Sequence, residues 1–124
     1  MSKYTGINVR SLTLEDALND TDWGKKPVDY MKYITIDFPI LQSIAEDFTA
    51  DEAKHFISVL ALYYVNGIEP NYSSIQSSGV KQAVRFTIAA QTERLESVYL
   101  LRYKQYVSSM ITKEKQQEEK QNNT

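Results

Sequence analysis

VKQAVRFTIAAQTERLESVYLLRYKQYVSSM, residues 80–110, runs without a glycine or a proline. At about 100° per residue, Val80, Val84, Ile88, Leu95, Val98, Tyr99, Tyr106 and Met110 share roughly one third of the helix circumference. Tyr103 lies beside them. The stretch predicts one helix of roughly eight turns, about 45 Å long at 1.5 Å per residue. Phe86, Ala90 and Leu101 fall on a separate face, which implies more than one packing neighbour. Gln91 interrupts the stripe, where a buried polar side chain can set register.

Working towards the N-terminus, two shorter helices are expected. Thr49 stands three residues before Glu52, a capping box that starts a helix ending at Asn66-Gly67. Phe56, Val59, Leu60 and Tyr63 form its stripe, and Ile57, Leu62, Tyr64 and Val65 widen it well beyond one face. A helix apolar around most of its girth is central or lies in an interface. An earlier helix should begin at Asp37, whose carboxylate can cap it, with Pro39 tolerated in the first turn. Ile40, Leu41, Ile44 and Phe48 share one side of it. YMKYITI, residues 30–36, reads as an extended or helical lead-in, because a lone strand leaves its backbone groups unpaired. Residues 72–79, rich in serine, read as a connector.

The fold class that follows is all-α: a small bundle of two medium helices and one long C-terminal helix. Residues 30–111 form the helical domain. Residues 1–29 form a poorly organised arm, within which Thr13 heads a short helical turn at 14–18. Residues 112–124, TKEKQQEEKQNNT, form a polar tail expected to fray after Lys115. The long helix outruns the two shorter ones. The stripe of Tyr99, Tyr103, Tyr106 and Met110 therefore needs cover, from the N-terminal arm or from a second copy. The second copy makes the chain a homodimer and these residues, with Trp23, a protein interface. Trp23, the only tryptophan, otherwise pins the arm to the helical body.

Composition narrows the chemistry. Among 124 residues there is no cysteine, so neither a disulfide nor a thiolate zinc site is available. His55 is the single histidine. With Glu52 it gives one ExxH spacing, but a di-iron bundle needs that motif twice. The four glycines are isolated, so no phosphate loop forms, and no serine sits in a GxSxG elbow. A non-enzymatic chain without cofactor is expected. No apolar run approaches 18 residues and MSKYTGINVRS lacks an apolar segment, which predicts a cytoplasmic protein without a membrane partner. Net charge is -2. Lys81, Arg85, Arg94, Arg102 and Lys104 make a weak basic patch on the long helix, at scattered angles. Nine tyrosines, six of them on or near the helices, suit semi-wet contacts.

The stretch from Tyr33 to about Arg94 carries Phe38, Leu41, Ile44, Leu60, Tyr64, Gly67, Glu69, Pro70, Ala83 and Val84 in a particular order. In this it resembles a family of small helical domains of unassigned function from phage, prophage and plasmid proteins, often at the N-terminus of replication-associated proteins. The resemblance implies a helical fold in a bacterial mobile-element setting. Such proteins often continue into a glycine-rich basic linker and a winged helix. This chain has a polar tail instead, so DNA binding does not carry over. The expected function is binding to protein, as an adaptor or inhibitor of a host or replication protein. The alternatives are a nucleic-acid-binding replication accessory and a helical virion scaffold.

Overall fold

The computed structural model describes residues 3–122, and among them all regular structure is helical. Helix α1 spans Leu14–Asn19, α2 Phe38–Glu46, α3 Ala50–Asn66 and α4 Ser78–Asn122. Short 3₁₀ turns occupy Val9–Ser11, Pro27–Tyr30 and Tyr72–Ser74. The chain divides into two compact units, residues 33–93 and residues 3–32 with 94–122. Helix α4 contributes its first part to one and its remainder to the other. The expected all-α class with a long C-terminal helix is what the chain adopts. No helix among the described residues is long and apolar enough to cross a membrane.

In the unit of residues 33–93, local signals do most of the building. Thr49 Oγ1 accepts from the Glu52 N–H at 3.1 Å and Glu52 accepts from the Thr49 N–H at 3.0 Å, so the capping box closes both ways. Gly67 ends α3 at φ +69°, where a side chain would be strained, and its N–H donates to the Tyr63 carbonyl at 3.1 Å. Asp37 stands at the N-cap of α2 in extended conformation, although its carboxylate does not bond the first-turn amides. Phe56, Leu60, Ile75, Val80, Ala83 and Val84 form the core. Ile40, Ile44, Phe48 and Ile88 pack against it half-buried. Full burial of one such side chain stabilises by about 1.5–3 kcal/mol. Gly79 allows a close approach, since a Cβ there would lie 3.2 Å from the Phe48 ring.

Residues 31–37 form no helix or strand, and two of the lead-in's backbone groups are met by a side chain. Gln91 Nε2 donates to the Tyr33 carbonyl at 3.0 Å, and Gln91 Oε1 accepts from the Thr35 N–H at 3.2 Å. The buried amide replaces the missing neighbouring strand. Gln91 thus sets a register, as its place in the stripe implied, but the partner is backbone rather than another helix.

In the other unit, the N-terminal residues prove organised. Thr13 and Asp16 form a second reciprocal capping box at the start of α1. Tyr4, Ala17, Tyr99, Tyr103 and Val107 are buried together. Ile7, Leu12, Leu14, Trp23 and Tyr30 pack around them from the N-terminal side. Residues 3–29 thus carry a helix, 3₁₀ turns and part of a core where a poorly organised arm was expected; Met1 and Ser2 lie outside the described residues. The single helical domain at 30–111 is corrected as well, because the long helix serves two cores. The tail is helical to Asn122, with Thr112 Oγ1 donating to the Ser108 carbonyl at 3.1 Å. Residues 123 and 124 lie outside the described residues.

Candidate functional site

The residues expected to form an interface gather around one carboxylate. Asp20 ends α1, and its side chain is only 2% exposed. Its Oδ2 accepts from the Tyr4 hydroxyl at 2.8 Å and the Tyr103 hydroxyl at 2.9 Å. Its Oδ1 accepts from Lys3 Nζ at 2.6 Å and from the N–H groups of Asp22 at 3.1 Å and Trp23 at 3.3 Å. Burial pushes this carboxyl up, but the hydrogen bonds from Lys3, Tyr4, Tyr103 and Trp23 outweigh it and bring the group down to about 2. Burial first, then the bond to the charged Asp20, raises the Tyr103 phenol well above its usual range. Tyr4 is raised by burial and by its contacts with Tyr106 and Asp20.

An aromatic cluster surrounds Trp23, tilted against Tyr99 and Tyr103 and stacked with Tyr30 and Tyr106. The Trp23 ring sits 4.9 Å from Tyr99, 5.0 Å from Tyr103, 6.0 Å from Tyr106 and 6.1 Å from Tyr30. The Tyr99 hydroxyl donates to the Lys25 carbonyl at 2.7 Å. Tyr99 and Tyr103 are buried, and Tyr106 and Met110 are half-buried against the same cluster. The interface assignment of Trp23, Tyr99, Tyr103, Tyr106 and Met110 is thereby corrected. The chain's own N-terminal residues shelter this stripe, and the argument for a second copy covering it falls away. Trp23 pins the arm. Sequence reading missed Tyr4 and Asp20, whose bonds to Tyr106 and Tyr103 span 102 and 83 residues and leave no local signature. A depression of about 460 Å³ runs beside Asp20, lined by Ile7, Asn8, Leu12 and Asn19 among others. Five donors already engage the two Asp20 oxygens, which leaves the carboxylate committed to holding the fold.

The basic residues divide between the units. Lys81 and Arg85 belong to residues 33–93, and Arg94, Arg102 and Lys104 to the other. The Arg85 guanidinium rests 4.4 Å from the centre of the Tyr72 ring. Arg102 donates to Gln105 Oε1 at 3.3 Å. Within their unit Arg102 and Lys104 are about 200° apart around α4. The structure does not draw either group into a phosphate-tracking stripe.

Glu52, His55 and Ser77 line one depression of about 360 Å³. The Ser77 hydroxyl donates directly to Glu52 Oε2 at 2.5 Å and accepts from the Val80 N–H at 3.3 Å. That hydroxyl proton is committed to the carboxylate, so histidine does not stand between serine and acid as nucleophilic catalysis needs. Glu52 is held below its usual range by Ser77 and Thr49. The three groups tie the starts of α3 and α4 together. His55 is exposed. Among the described residues no three His, Cys, Asp or Glu side chains form a group suited to a metal ion.

A different surface stands out in the unit of residues 33–93. Helix α3 buries Phe56 and Leu60 on one side and leaves Ile57 52%, Leu62 46% and Val65 80% exposed on another, with Ile68 53% exposed just beyond Gly67. At about 100° per residue, Ile57, Ala61, Val65 and Leu62 span about 140° of the helix. Helix α2 also leaves Phe38 and Leu41, one turn apart, exposed, and α4 leaves Phe86 exposed. Among the described residues, nine of the thirteen exposed large apolar ones belong to this unit. Such a concentration marks a contact surface more often than scattered single residues do. The sequence signal was the over-wide apolar girth of α3. Comparison with family models, with curated proteins and with solved structures finds no match for this chain.

Proposed function

We propose that the chain is a non-enzymatic accessory protein that works by binding protein through the exposed apolar face of α3. One observation carries this reading. Val65 and Ile57 stand in solvent on a helix whose opposite side already completes the core with Phe56 and Leu60. Folding of the unit does not need them, and covering each aliphatic side chain in a complex would contribute up to about 1.5–3 kcal/mol. The resemblance of residues 33–94 to phage and plasmid helical domains supplies the setting, a mobile element in a bacterial host.

The test is site-specific photo-crosslinking in host cells. A photoreactive residue at position 65 should give discrete protein adducts, and the same probe at Leu101, exposed on the other unit, should not. Loss of the position-65 adducts on Ile57→Asp, with helicity unchanged, is the expected companion result. Equal labelling at both positions, or none at 65, would overturn the reading.

A further inference from the structure

We infer that the occupant of the α3 face is a second copy of this chain, with the two α3 helices antiparallel about a two-fold axis near Ala61. This rests on the protein-binding reading and names its partner. The face is self-complementary in three respects. Its apolar residues are symmetric about a small one: Ile57 lies four residues before Ala61 and Val65 four after. A two-fold axis at Ala61 places Ile57 against the partner subunit's Val65, and the reverse, as an isologous interface requires. Ala61 and Ser58 near the crossing let the helices approach to the 8–10 Å typical of packed pairs, roughly.

Charge selects the direction. Lys54 is exposed on the same face, two turns before Ala61, and Glu69 is exposed just past the end of the helix. An antiparallel pair sets each Lys54 near the partner subunit's Glu69, twice over. A parallel pair sets like charges together at both ends, which is unfavourable. Leu62 and Ile68 flank the apolar centre. A different protein would have to reproduce this arrangement of apolar, small and oppositely charged positions in reverse; a second copy carries it already. A face one helix wide falls below the roughly 800 Å² per partner of a standard interface, so the dimer is a reversible one in the micromolar range.

The test is sedimentation velocity on the full chain from about 1 to about 500 μM, a span set by that affinity range. The mass should rise with concentration from 14.3 kDa towards twice that value. Val65→Asp should weaken association at least about tenfold, since the new carboxylate is desolvated in the pair. Lys54→Glu and Glu69→Lys should each weaken it, and the double variant should restore it; these exposed substitutions leave the core untouched. A monomer at every concentration would overturn the second copy. So would a dimer insensitive to Val65→Asp, or single charge variants without effect. Either failure leaves the wider protein-binding reading to the position-65 crosslinks, which identify an unlike partner by its mass. Crosslinks to the chain itself alone would support the dimer.

Discussion

The two units of this chain solve the same problem with different materials. Residues 33–93 are held by an aliphatic core around Phe56, Leu60, Val80 and Val84, begun and ended by local caps. Residues 3–32 with 94–122 are held by tyrosines and one tryptophan arranged over a buried, fully bonded aspartate. The first keeps apolar residues in solvent after its core is complete. The second sets a buried carboxylate and its hydroxyl partners among aromatic rings and aliphatic side chains. The difference teaches where each unit is vulnerable: one to loss of volume, the other to loss of a charge.

The largest expected effect is in the aliphatic unit. Phe56→Ala removes a fully buried ring and should cost about 3–5 kcal/mol. Hydrogen-exchange protection should fall most over residues 50–91. A loss concentrated instead in residues 3–30 would break the comparison. Next comes Asp20→Asn, which replaces a carboxylate that accepts five hydrogen bonds with an amide that cannot accept on both sides. A loss of about 3 kcal/mol is expected, with exchange fastest around Tyr4 and Tyr103.

Acid should probe the same group without mutation. The folded Asp20 carboxyl is lowered from 3.8 to about 2. Its contribution is therefore present above about pH 4 and is lost as pH falls through the folded value, a change of about 2 kcal/mol. Trp23 is the sole tryptophan and packs at a tilt on the ring of Tyr103, which bonds Asp20, so its fluorescence reports this unit. Emission should shift between about pH 4 and pH 2 in the parent chain; Asp20→Asn should flatten that transition. A transition at the same pH in both proteins would assign it to other carboxylates. The smallest effect is Thr49→Ala, which opens the α3 capping box and should cost about 1 kcal/mol, read as a lower denaturation midpoint.

Legibility followed the same division. The α3 limits were readable because Thr49, Glu52 and Gly67 act on backbone within a few residues of themselves. The exposed apolar side of α3 was readable as excess apolar girth. The long helix was readable from its lack of breakers, but its stripe was not fully so. Val98 was placed inside and is 42% exposed, whereas Val107, left out, is fully buried. A single period assumes one packing partner along the whole helix, and the second half meets the N-terminal residues rather than α2 and α3. Asp20 was unreadable: beside Asp22 in a polar stretch, it resembles any turn aspartate. Its bond to Tyr103 spans 83 residues, and that of Tyr4 to Tyr106 spans 102.

Residue order alone determined which segments are helical, because caps, breakers and apolar spacing act over one or two turns. Tertiary structure decided what covers the aromatic stripe. That choice compared burial by the chain's own residues 3–30 with burial by another molecule, and it turned on the side chains of Lys3, Tyr4 and Tyr103 converging at Asp20 from 16 to 83 residues away. Local propensity contains no information about such a convergence, since the bonds exist only once the chain has closed around the carboxylate.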